Sequence, residues 1–121
     1  MARILIVEDN PLNLKLATRV LEHAGHEVLQ AEDAAKGLEL ARELKPDLVL
    51  MDIMLPGMDG VAALARLRAD STTAGIKVAA LTAYAMKGDR EKCLDAGASD
   101  YLAKPVNTDQ LLATLRMWLH R

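Results

Sequence analysis

The chain has 121 residues, room for one domain and little space for two. Half of them are apolar (51%), which excludes a disordered chain, and the core must be aliphatic because there is no Phe, only Tyr84, Tyr101 and the single Trp118. A formal net charge of −2 with no basic cluster argues against a nucleic-acid binder, and no apolar run approaches the ~20 residues of a membrane span.

Short apolar runs alternate with helical patterns along the chain. Ile4 to Val7 is a β-branched-rich strand ending on Glu8-Asp9. Asn10-Pro11 supplies an N-cap and a proline at the first helical position. Leu14, Ala17, Val20, Leu21 and Ala24 follow at helical spacing, with Gly25 closing the helix. Glu27 to Ala31 reads as a second strand. Asp33 caps a second helix with Ala34, Leu38 and Ala41 on one face, and Pro46 stops it. Leu48 to Met51 is a buried-strand run ending at Asp52. Pro56-Gly57 and Asp59-Gly60 mark a turn and a third helix that runs to about Ala69, with a polar loop over residues 71–75. Lys77 to Thr82 is a fourth strand, Tyr84 to Ala96 a fourth helix closing at Gly97, and Asp100 to Ala103 a short fifth strand. Asn107 caps the last helix, Gln110 sits at the capping-box position, and Leu111, Leu112, Leu115 and Leu119 form its apolar face.

Five strands alternating with five helices predict an α/β fold, a doubly wound parallel sheet covered on both faces. Right-handed crossovers leave few topologies, among them the flavodoxin-like order 2-1-3-4-5. Residues 1–121 then form one domain. Ligands in such sheets bind outside the carboxyl ends of the strands, where the strand order reverses between strands 1 and 3.

The strand ends carry the chemistry. Strand 1 ends at Glu8 and Asp9, strand 3 at Asp52, strand 4 at Thr82, and strand 5 leads into Lys104. Three carboxylates meeting in one cleft cannot all stay ionised without compensation. Mg²⁺, which prefers oxygen ligands and commonly bridges carboxylates to phosphate, is the obvious remedy. Lys104 adds a compact positive charge and Thr82 a hydroxyl donor. In outline this is a phosphoryl-transfer site with Asp52 as nucleophile. Taken singly, each residue has a plainer reading: Glu8-Asp9 as a solvated pair, Asp52 as a loop cap, Thr82 as a strand residue, Lys104 as a surface lysine. Together, on one sheet edge, they do not.

Over essentially its whole length the sequence resembles the receiver domains of two-component response regulators. Four blocks carry the resemblance: Ile-Leu-Ile-Val-Glu-Asp-Asn at 4–10, Pro-Asp-Leu-Val-Leu-Met-Asp-Ile-Met-Leu-Pro-Gly-Met-Asp-Gly at 46–60, Leu-Thr-Ala at 81–83 and Ala-Lys-Pro at 103–105. The resemblance implies that Asp52 is the phosphoacceptor. It further implies a Mg²⁺ site in which Asp9 and Asp52 are direct ligands, Glu8 acts through water and the Met54 carbonyl completes the protein's share. Lys104 would contact the phosphoryl group, Lys104–Pro105 would be a cis peptide, and Thr82 with Tyr101 would be the switch pair. Glu8-Asp9 replaces the Asp-Asp pair in a conservative form. Residues 10–16 and 82–89 look similar to DivK-type single-domain regulators, and also to receivers fused to hybrid histidine kinases. The implied partners are a histidine kinase or histidine phosphotransfer protein upstream and a protein target met by the helix 4–strand 5–helix 5 face, with Met86, Lys87, Arg90, Tyr101 and Trp118 as residues to probe. The exposed-looking Leu12 and Leu16, beside Lys15 and Arg19, suit the upstream docking.

Other readings compete. A haloacid-dehalogenase-type phosphatase would want an acid two residues after Asp52, where Met54 stands. A flavin or nucleotide binder would want a phosphate loop after strand 1, where Glu8-Asp9-Asn10-Pro11 stands. A receiver-like docking module that never takes phosphate would not need the full residue set. If the chain ends natively after helix 5, output goes by protein contact; the alternative is a receiver excised from a hybrid kinase or a larger regulator. Beyond self-phosphorylation and self-dephosphorylation at Asp52, no enzymatic turnover is expected. Cys93 is the sole cysteine and no leader is evident, which points to the cytoplasm. His23, His26 and His120 read as surface or helix-end residues rather than metal ligands. Met54 and Tyr84, two places after Asp52 and Thr82, are bulky and neither is an acid or amide that readily orients a water, so slow self-dephosphorylation is expected.

Overall fold

The computed structural model describes residues 2–53, 60–82, 89–103 and 108–119. The elements run β1 (Arg3–Val7), α1 (Pro11–His23), β2 (Glu27–Ala31), α2 (Ala34–Leu44), β3 (Leu48–Asp52), α3 (Gly60–Ala69), β4 (Lys77–Thr82), α4 (Asp89–Asp95), β5 (Asp100–Ala103) and α5 (Thr108–Leu119). The strands form one parallel sheet in the order β2-β1-β3-β4-β5, as the alternation predicts.

Why the strands are continuous apolar runs is visible in their parity. Side chains alternate faces along a strand. Leu5 and Val7, Val49 and Met51, Val78 and Ala80 enter one core with Ala34, Ala41, Leu64 and Cys93 from α2, α3 and α4. Ile4 and Ile6, Leu48 and Leu50, Ala79 and Leu81 enter the other with Leu14 and Leu21 from α1 and Leu111 and Leu115 from α5. In the inner strands β1 and β3 both faces are dry, so neither parity tolerates a polar residue from Ile4 to Val7 or from Leu48 to Met51, whereas edge strand β2 carries an exposed Gln30. Each fully buried leucine of this kind contributes about 1.5–3 kcal/mol by removal from water.

The helix signals act as written. Asn10 accepts from the Leu12 and Asn13 N–H groups, and Asp33 accepts from that of Lys36. Gly25 and Gly97 take positive φ after α1 and α4 (93° and 111°), where an L side chain is disfavoured. Gly37 lets α2 approach β1: a Cβ there would lie 2.7 Å from Val7 Cγ2, so Gly37→Ala would push helix from sheet.

Four expectations need correction or completion. Ala24 does not face the core; it is exposed and forms the C-cap, because α1 ends at His23. The end of α2 is set by Lys45 in the left-handed conformation (φ 45°) as well as by Pro46. His26 is half-buried rather than superficial, and its Nδ1 accepts from the Ala2 N–H at 3.2 Å. The expected start of the fourth helix at Tyr84 and the Asn107 cap lie outside the described residues.

The sheet edge away from the strand ends is tied down by Arg68. Its guanidinium donates to the carbonyls of Gly97, Ala74 and Ile76, joining α3 to the segments before β4 and β5. Burial lowers its pKa from the usual arginine value.

Candidate functional site

The site is made by where three strands stop. Val7 pairs with Met51, Asp52 with Leu81, and Thr82 with Ala103, so Glu8, Asp52 and Thr82 fall on one edge of the sheet. Glu8 continues the parity of Ile4 and Ile6, and its N–H donates to the Ala31 carbonyl at 3.0 Å, extending the β1–β2 ladder by one residue. Ile53 does the same for β3, donating to Leu81 O at 3.0 Å. The backbone carrying each carboxylate is therefore held by the sheet.

Glu8 and Asp52 are buried (2% and 3% exposed), while Asp9 is open to solvent. One carboxylate oxygen from each of Glu8, Asp9 and Asp52 lies within 4.8 Å of the other two. At such a separation two ionised carboxylates repel by roughly 3 kcal/mol at an effective dielectric of about 20. An all-oxygen donor set, two members of it buried and one wet, suits a hard divalent cation that keeps part of its hydration shell. The residues present thus fit Mg²⁺.

The remaining candidates divide by position. Thr82 closes β4 at the same edge. Tyr101 lies on β5, half-buried against the core that α2, α3 and α4 cover, and its N–H donates to Asp100 Oδ1. Trp118 is half-buried against the other core, and its Nε1 donates to Asp100 Oδ2 at 3.0 Å, which anchors the end of α5 to the start of β5. Lys77 Nζ lies 5.7 Å from the centre of the same indole ring. Met54, Tyr84, Met86, Lys87, Lys104 and Pro105 lie outside the described residues, as does the side chain of Arg90. Leu12 and Leu16 are exposed at 63% and 53%, as the wheel of α1 predicts.

Sheet order, strand-end carboxylates and helix layers define a class, and sequence comparison agrees with it. The family model for the response regulator receiver domain matches residues 4–116, and the chain belongs to that family. It is therefore a receiver domain of the two-component signalling systems, a class of signalling switch.

Among curated proteins, the chain is similar to the DNA-binding dual master transcriptional regulator RpaA of Synechocystis, 46% identical over 121 residues, all of this chain and 50% of that protein. It spans half the length of RpaA. It is also similar to the polar-differentiation response regulator DivK of Brucella anthropi, 40% identical over 116 residues, 96% of this chain and 94% of that one. Among solved structures, the receiver domain of the sensor histidine kinase PA1611 from Pseudomonas aeruginosa superposes with a TM-score of 0.92 at 38% identity, covering 99% of this chain and 98% of that one; a magnesium ion is coordinated in its active-site cleft. Among the described residues of the present chain, no helix is long and apolar enough to cross a membrane.

Proposed function

We propose that residues 1–121 act as one phosphoryl-accepting switch, with Asp52 taking the phosphoryl group from a histidine of a kinase or phosphotransfer protein in a Mg²⁺-dependent reaction. The observation that carries the reading is the convergence of the Glu8, Asp9 and Asp52 carboxylates within 4.8 Å at the sheet edge. The magnesium in the cleft of the PA1611 receiver supports it by likeness.

An Asp52 carboxylate oxygen attacks phosphorus in line with the donor imidazole nitrogen. The P–O bond forms as the P–N bond breaks, and the electron pair returns to the ring, which takes up a proton from solvent. Bound Mg²⁺ supplies neutralisation of the charge gathering on the phosphoryl oxygens. In this reading Asp9 and Asp52 hold the ion directly, Glu8 holds it through water, and the Met54 carbonyl completes the set. Lys104 balances one phosphoryl oxygen and the Thr82 hydroxyl donates to another. Burial of Asp52 in the sheet fixes the nucleophile, and positioning supplies much of the rate in such transfers.

Output follows from the same charge change. The Thr82 hydroxyl moves toward the phosphoryl group, the Tyr101 ring turns into the space released, and the α4–β5–α5 face is presented to a protein target in the cytoplasm. Amide exchange over residues 82–105 should change on adding beryllofluoride with Mg²⁺; unchanged exchange would place the output elsewhere.

The metal reading has its own test. At Mg²⁺ a hundredfold above its dissociation constant, linkage stabilises the fold by about 2.7 kcal/mol. The melting temperature should rise with Mg²⁺ in the wild type and barely move in Asp9→Asn. Equal rises in both would remove Asp9 from the site.

A further inference from the structure

On the side of the sheet covered by α1 and α5, a cavity of about 260 Å³ lies directly beside the carboxylate cluster. Ile6 and Leu50 from the sheet, Ala17 and Val20 from α1, and Leu111 from α5 line it, and Glu8 is its buried polar wall. Exposed Asn13 and Thr108 also border it. The space has a sequence origin: α1 presents the small Ala17 between Asn13 and Val20 there, and with no Phe in the chain the aliphatic core has no large ring to fill it.

We propose that this cavity is a binding site for a small, mainly apolar molecule of roughly ten heavy atoms that carries one hydrogen-bond donor, the donor meeting Glu8. An apolar cavity of about 150 Å³ already stays dry and admits a benzene-sized guest, so the larger space here accommodates one with substituents. Aliphatic walls with a few convergent polar groups are the usual make-up of a small-molecule site. The polar wall decides the chemistry of the guest. A carboxyl group offers several acceptor positions, so it favours a guest with a hydroxyl, amine or N–H, and the acidic cluster of Glu8 with Asp9 and Asp52 disfavours an anion.

Glu8 belongs to both the cavity and the carboxylate cluster. A guest donating to Glu8 draws electron density from the oxygens that face the ion, so occupancy lowers Mg²⁺ affinity, and Mg²⁺ lowers guest affinity by the same factor. This coupling rests on the metal reading above; the binding itself does not.

The probe is 4-fluorophenol, followed by ¹⁹F NMR on the metal-free protein. Saturable binding is expected, with nuclear Overhauser contacts to the methyl groups of Leu50 and Leu111. 4-Fluorotoluene, which lacks the donor, should bind about fivefold more weakly, and Ala17→Met, which fills the space, should weaken 4-fluorophenol about tenfold. Non-saturable association, contacts only to other methyl groups, or equal binding by a folded Ala17→Met would overturn the site. The contacts in the wild type decide the matter if Ala17→Met does not fold. Saturating 4-fluorophenol should then weaken Mg²⁺ binding about fivefold. An unchanged Mg²⁺ affinity would overturn the coupling, whereas failure of the unliganded protein to bind Mg²⁺ at all would count against the metal reading alone.

Discussion

Glu8, one residue beyond β1, and Asp52, the last residue of β3, are neighbours across the sheet and both are buried, their carboxylate oxygens within 4.8 Å. Each is held by main-chain pairing on its own strand: Glu8 N–H reaches Ala31 O, and Asp52 is in register with Leu81. The acidic cleft is thus a property of the sheet.

Exposed Leu12 and Leu16 on α1 give the first prediction, about docking. Leu16→Glu should slow phosphotransfer from the cognate kinase or phosphotransfer protein about tenfold, the size of one interface anchor. Labelling by acetyl phosphate, which needs no docking, should be unaffected. Equal loss in both assays would show a folding defect instead.

The second prediction concerns lifetime. Water must reach phosphorus opposite the Asp52 oxygen, and neither Met54 nor Tyr84 is an acid or amide that readily orients it; both lie outside the described residues, so this rests on the sequence. Phosphate release from purified phosphoprotein should be about tenfold faster in Met54→Asn with Tyr84→Glu than in wild type. No acceleration would clear these side chains of the role.

Lys45 gives a prediction about stability. It holds φ 45° at the C-cap of α2. Left-handed backbone costs an L residue about 1–2 kcal/mol, and replacing it by Gly loosens the unfolded chain by about 0.4–1 kcal/mol. The net gain for Lys45→Gly is about 0.5–1 kcal/mol, read as a higher denaturant midpoint with an unchanged slope. A lower midpoint would refute it.

How much of this could be read beforehand follows from the same physics. The strands were legible because both faces are buried, which leaves runs such as Leu48 to Met51 with no polar interruption. Asn10 and Asp33 were legible because caps are local. Glu8, Asp9 and Asp52 were legible as the first acids after buried runs, once the strand order put β1 beside β3. Lys45 was not, since nothing in a lysine announces positive φ. The Arg68 hub was not, because its three acceptors are backbone carbonyls whose sequence carries no mark. The cavity beside Glu8 was not, because a deficit of volume belongs to three elements at once.

Asp70, between α3 and β4, predicts part of the acid response. Hydrogen bonds from the Thr72 backbone and side chain hold its pKa below the usual aspartate value against desolvation, and Arg42 at 3.0 Å adds a smaller lowering effect. A carboxylate lowered in the folded state adds stability above its unfolded pKa of about 3.9, and that stability is lost as pH falls through the folded value. Asp70→Asn should therefore destabilise the protein at pH 7, and the gap to wild type should close below about pH 4. A gap independent of pH would mean that the charge of Asp70 plays no part.

The central claim is that Asp52 is the phosphoacceptor and that the acidic cleft needs Mg²⁺ to make it one. Intact mass after incubation with acetyl phosphate tests this most directly. Wild type with Mg²⁺ should gain one phosphoryl group, while wild type in excess chelator and Asp52→Asn with Mg²⁺ should gain none. Equal labelling of Asp52→Asn, or labelling indifferent to the chelator, would contradict it.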